Sequence, residues 1–148
     1  ISAAFALEQL KKLKKNLKKR NVNFELLKNF FSKLSKYFKL PEQYKGVKTA
    51  WLAFPLVIKK NSKFSRKDLQ IYLEKNNIQT RTIFTGNILK QPLVKNKEYK
   101  KLKNSEKISN DVMKNGILIG CHQGMRIEEI NYIFKTFNKF LNKLVKPV

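Results

Sequence analysis

Between Leu7 and Phe38 the apolar residues Leu7, Leu10, Leu13, Leu17, Phe24, Leu27, Phe31, Leu34 and Phe38 follow one another at steps of three, four or seven. That spacing puts them on one face of an α-helix and does not fit the two-residue alternation of a strand. It predicts a long amphipathic helix over residues 3–40, stopped by Pro41. A helix that is apolar along one stripe is stable only when the stripe lies on another layer, so residues 41–148 must supply one.

The rest of the chain alternates strand and helix signals. Residues 41–49 read as a loop, and residues 51–58 form an apolar run of strand length whose Pro55 points to an edge or a bulge. Ser65 is an N-cap for a helix over residues 66–76 with Leu69, Tyr72 and Leu73 inward. Residues 78–84 are strand-like, and Thr85-Gly86-Asn87 turns the chain. Residues 92–102 are too lysine-rich to assign. Ser105 begins a helical pattern through Ile108, Val112 and Met113 that closes at Asn115-Gly116 as a C-cap. A short strand over residues 117–121, a turn at Gln123-Gly124 and a last helix over residues 127–144, with Ile130, Ile133, Phe137 and Leu141 inward, complete the order. The expected fold is α/β: a long helix over residues 1–40, then an α/β domain over residues 41–148 whose small sheet carries helices on one face.

Charge invites a different reading. The formal charge is +23, from 33 basic and 10 acidic residues, which suggests nucleic-acid binding. Only four of the basic residues are arginine, however, whereas base readout and bidentate phosphate clamps favour arginine. The lysines run along the whole chain, so no specific nucleic-acid site is expected. A lysine-rich module with loose affinity for polyanions is the alternative function. Its best element is residues 11–20, KKLKKNLKKR, with seven basic residues around Leu13 and Leu17. That face is either a solvated helix surface or one that meets a membrane or RNA.

Cys121 and His122 are the only cysteine and the only histidine. An intramolecular disulfide, a cysteine cluster or a histidine zinc site is therefore excluded. Neighbours on an extended strand point to opposite faces, so these two do not make a thiolate–imidazole pair. No apolar run approaches the roughly 18 residues that cross a bilayer, and residues 1–10 lack the pattern of a secretion signal. The expectation is a soluble, cytoplasmic chain without a membrane partner. Its first residue is Ile, not Met, which suggests a fragment.

Three segments in order resemble one family. Residues 3–12, AAFALEQLKK, are similar to the AA(x)GLxQLxKL helix of the DegT/DnrJ/StrS sugar-nucleotide aminotransferases, with Ala6 where Gly is usual. Residues 77–92, NIQTRTIFTGNILKQP, carry Thr-Arg, Gly-Asn and Gln-Pro steps that resemble the branch containing NDP-4-keto-6-deoxyhexose 3-dehydratases. Residues 105–125, SEKISNDVMKNGILIGCHQGM, resemble the same branch.

The resemblance implies the C-terminal small domain of a type I pyridoxal-phosphate (PLP) enzyme, working on a nucleotide-linked 4-keto-6-deoxy sugar in lipopolysaccharide or polysaccharide biosynthesis. It implies substrate contacts at Arg81, Phe84, Asn87, Gln91, His122 and Gln123, and a homodimer. The residue types suit such a ligand, since an arginine binds phosphate or sugar oxygens and amides both donate and accept. On the residues alone, Arg81 reads as an ordinary surface ion pair and Gly86-Asn87 as an ordinary turn; the resemblance is what turns both toward a site. Arg126 departs from the family, which has a small polar cap there; arginine accepts no bond from helix N–H groups and adds charge to the positive helix end. In the family the residues that hold PLP and do the chemistry lie in a large domain, which the resemblance places before Ile1. No residue here matches them, so this chain alone is expected to bind no PLP and to turn nothing over.

Overall fold

The computed structural model describes residues 1–100, 103 and 106–145. Its elements are helix α1 (Ser2–Ser32), strand β1 (Phe38–Lys39), strand β2 (Ala53–Ile58), helix α2 (Arg66–Lys75), strand β3 (Thr80–Thr82), helix α3 (Glu106–Asn115), strand β4 (Gly116–Gly120) and helix α4 (Ile127–Val145). Two single 3₁₀ turns follow β3, Ile88–Lys90 and Pro92–Val94, the second at the start of the stretch 92–102 that the sequence left unassigned. Ser105 and Leu102, bounds of two expected segments, lie outside the described residues.

Helix α1 is rich in Lys and Leu, good helix formers, and has neither Gly nor Pro inside it. It does not reach Leu40 as the periodicity predicts; it stops at Ser32. The chain goes on in tight turns, with the amides of Leu34 and Tyr37 bonding to the carbonyls of Phe31 and Leu34. Such i→i+3 turns hold the three-residue recurrence of Phe31, Leu34 and Tyr37 without continuing the α-helix. Phe38 then enters the sheet opposite Ile58.

The four strands are antiparallel in the order β1-β2-β4-β3. Alternation sorts their faces: Phe38, Phe54, Leu56, Ile58, Ile117 and Ile119 are buried on one. Lys39, Pro55, Leu118 and Arg81 hold the alternate positions, Leu118 standing opposite both Pro55 and Arg81. Pro55 is opposed on its β4 side only, because β1 ends at the Lys39–Val57 pair; the missing amide has no ladder partner to lose there.

Helices α1, α2 and α4 supply the buried layer. Ser65 and Asp68 form a reciprocal capping box that starts α2, and Leu69 and Leu73 are buried. Ile130, Ile133, Phe137 and Leu141 of α4 are all buried, as their spacing predicts. Phe31 is at the centre, edge-on to Phe137 at 4.8 Å and to Phe38 at 5.6 Å; each fully buried phenylalanine contributes about 1.5–3 kcal/mol. Helix α3 departs from the one-faced arrangement. It buries no residue, leaves Ile108 exposed and meets the sheet's other side through a 3.1 Å Lys39–Asp111 ion pair. Its end also differs from a glycine C-cap: Gly116 enters β4 directly, and a Cβ there would stand 2.5 Å from the Val112 carbonyl oxygen.

Candidate functional site

A cavity of about 670 Å³ opens where β3 and β4 meet the start of α4, and Arg81, Leu118, His122, Glu128, Glu129 and Tyr132 are among its walls. Arg81 is exposed and makes no ion pair among the described residues, so its guanidinium is available to an anion. His122 follows β4. Its Nδ1 accepts the Gly124 amide at 3.1 Å, which leaves Nε2 as the protonated nitrogen of the neutral ring. Tyr132 donates its hydroxyl to the Asn76 carbonyl at 3.0 Å and so presents a fixed ring wall.

Helix α4 begins without the expected cap side chain at Arg126. Glu129 reaches back instead and accepts the Arg126 amide at 2.7 Å, one half of a capping box. That amide, above all, holds the Glu129 carboxyl below its ordinary range, and the Arg126 charge adds to it. Cys121, by contrast, is buried, and burial pushes its thiol up to about 12 against a smaller opposing effect of Arg20. Its Sγ donates to the Arg20 carbonyl, so it is a core residue and no nucleophile.

The six expected site residues do not all meet in one place. Arg81 and His122 share the cavity of about 670 Å³. Arg81 and Phe84 share a second cavity of about 590 Å³ with Gln70, Thr80 and Thr82. Asn87 and Gln91 turn inward: Asn87, only 3% exposed, donates to Asn110 and accepts the Leu89 amide, both at 2.9 Å, while Gln91 donates to the Thr85 carbonyl at 3.2 Å. They brace the loop after β3. Gly86 belongs to that brace, since it has a left-handed φ of 72° and a Cβ would come within 2.3 Å of Met113. Gln123 accepts from Arg20 Nε at 2.6 Å, and Asn23 of α1 donates to the His122 carbonyl at 2.8 Å. Helix α1 therefore fixes the 122–123 turn from behind.

Sequence reasoning missed Glu128, Tyr132 and the α1 clasp. The i, i+4 spacing of Glu128 and Tyr132 off the apolar face of α4 was a usable signal; nothing local marks Arg20 or Asn23.

The residues present do not fit PLP. No lysine lines the cavity of Arg81 and His122, so no Schiff-base partner faces it. The two aspartates are engaged elsewhere, Asp68 with Ser65 and Asp111 with Asn115 and Lys39, and these bonds hold both below the usual carboxylate range. Neither is placed to pair with a pyridine nitrogen. No helix among the described residues is long and apolar enough to cross a membrane.

Comparison with known proteins gives this geometry a family. The chain is 34% identical over 134 residues to GDP-4-keto-6-deoxy-D-mannose 3-dehydratase of Escherichia coli O55:H7, across 90% of this chain and 34% of that protein. It is 29% identical over 143 residues to lipopolysaccharide biosynthesis protein RfbH of Salmonella typhimurium, across 95% of this chain and 32% of that one. The solved structure of an E. coli GDP-4-keto-6-deoxy-D-mannose-3-dehydratase with bound hydrated PLP superposes with a TM-score of 0.78 at 31% identity, covering 91% of this chain and 34% of the other. The chain thus spans about a third of the length of the relatives it matches. The sequence profile of the DegT/DnrJ/EryC1/StrS aminotransferase family matches residues 1–138, and the chain belongs to that family.

Proposed function

We propose that this chain is the substrate-facing C-terminal module of a cytoplasmic, homodimeric PLP enzyme that dehydrates or transaminates a nucleotide-linked 4-keto-6-deoxy sugar on the way to lipopolysaccharide or another polysaccharide. PLP supplies an electron sink for such chemistry, and a PLP-holding domain beyond these residues provides its anchors. The role of this chain is to bind and orient. Arg81 holds the diphosphate of the nucleotide sugar through charge-assisted hydrogen bonds. His122 offers its Nε2–H to a sugar oxygen, since Nδ1 is taken by Gly124. Asn87 and Gln91 keep the loop after β3 in place, and Gln123, held by Arg20, does the same for the turn that carries His122.

The observation that carries this reading is the pairing of a cation that has no acidic partner among the described residues and a tautomer-fixed histidine in one cavity of about 670 Å³, a size suited to a small polar ligand. Isothermal titration of the 148-residue chain with GDP-mannose tests it. The expected result is saturable binding that falls far less steeply with salt than nucleic-acid binding does and weakens at least about tenfold in Arg81→Ala. Salt-steep binding of RNA or DNA, lost when Lys11, Lys12, Lys14 and Lys15 are neutralised, together with no GDP-mannose binding, would favour the polyanion module instead.

A further inference from the structure

The loop after β3 contains a backbone feature that substrate orientation by Arg81 does not require. Phe84 has a φ of 46°, in the left-handed region that a bulky L-residue enters only at a cost. Its amide closes on the Thr82 carbonyl at 2.9 Å, and the Thr82 hydroxyl donates to the Phe84 carbonyl at 3.2 Å. The ring gains no burial in exchange, being 87% exposed. The loop is nonetheless closely seated, through Gly86 against Met113 and Asn87 on Asn110. A strained aromatic held on a fixed loop and left in water is a pre-organised contact surface.

We propose that Phe84 is a stacking platform for the nucleobase of the nucleotide sugar, with Arg81 on the adjoining diphosphate. This rests on the nucleotide-sugar reading above. Both residues line the same cavity, and three residues of chain keep them within roughly 10 Å, the scale of a nucleoside diphosphate. The alternative, a contact with the hexose, calls for several free hydrogen-bonding groups, whereas the polar side chains of this cavity are engaged: Gln70 donates to Thr80, Thr80 to Glu74 and Thr82 to the Phe84 carbonyl. The loop's own amides at Asn87 and Gln91 are already engaged, and what it turns outward is a flat apolar ring. Stacking accepts any base, and a larger base covers more of the ring.

Calorimetry of the full chain with GDP, UDP, glucose 1-phosphate and inorganic pyrophosphate separates the possibilities. The platform predicts GDP tighter than UDP. Phe84→Ala should weaken GDP by roughly tenfold, remove the GDP–UDP difference and leave pyrophosphate unchanged. Arg81→Ala should weaken all four. Phe84→Gly tests the strain directly: it should lose GDP like Phe84→Ala yet raise Tm by about 2–4 °C, because glycine adopts this backbone freely. Equal loss of glucose 1-phosphate and GDP in Phe84→Ala would move the ring to the sugar and overturn the platform. So would unchanged GDP binding in Phe84→Ala, or an unchanged or lower Tm in Phe84→Gly. If Arg81→Ala still weakens every ligand in such a case, the nucleotide-sugar reading stands without the platform. If none of the four binds, both fall.

Discussion

The two halves of α1 share one apolar period and meet opposite fates. In residues 2–19 the stripe of Leu7, Leu10 and Leu13 is exposed, with Leu10 at 65%. In residues 20–32 Asn23, Phe24, Leu27 and Phe31 are buried, and Leu27 is at 0%. Phe24 stacks on Trp51 at 4.2 Å and Phe31 meets Phe38, Phe54 and Phe137. The helix is roughly 46 Å long at 1.5 Å per residue, and only its second half lies over the sheet. Periodicity therefore states which side of a helix seeks a partner; whether one is there depends on where the helix sits.

The same substitution placed in each half measures that difference. Leu27→Ala should lower stability by about 2–5 kcal/mol, since it empties a site closed on all sides. A urea titration followed by circular dichroism reads the shift in midpoint. A loss under about 1 kcal/mol would mean that the second half is held less firmly than its burial indicates.

A smaller effect belongs to the polar junction between the halves. Asn23 is buried although polar, and its amide donates to the His122 carbonyl. Asn23→Ala removes that donor and should cost about 1–3 kcal/mol. Hydrogen exchange should speed up in residues 121–125 more than in the core strand β2. Uniform acceleration would show that Asn23 supports the whole fold and has no particular hold on the turn.

Such long-range ties explain what the sequence concealed. Helices α2 and α4 were legible because their signals are local: Ser65 with Asp68, and the spacing of Ile130, Ile133, Phe137 and Leu141. The end of α1 was misplaced because tight turns after Ser32 preserve a near-helical recurrence. Strand β3 is shorter than the strand-like run of residues 78–84, since Phe84 folds back on Thr82. Within the site, Arg81 and His122 reach a common cavity. The inward turn of Asn87 was invisible, since its partner Asn110 lies on α3, and the tie of Gln123 to Arg20 spans most of the chain. Local pattern encodes periodicity and capping; it does not encode which amide finds which partner across the fold.

The smallest effect is the most discriminating for α1. Leu10→Ala should change stability by no more than about 0.5 kcal/mol, because its side chain is largely in water in either state and alanine favours a helix at least as well. The ratio of this cost to that of Leu27→Ala then compares tertiary coverage at two positions of identical chemistry. Should Leu10→Ala instead cost more than about 1 kcal/mol, with a midpoint that moves with protein concentration, the stripe of the first half is covered by a second copy in solution. The contrast between the halves would then hold within one chain and disappear in the assembly. Sedimentation of the parent chain and of Leu10→Ala at two concentrations decides this, since a monomer in both leaves Leu7, Leu10 and Leu13 facing water.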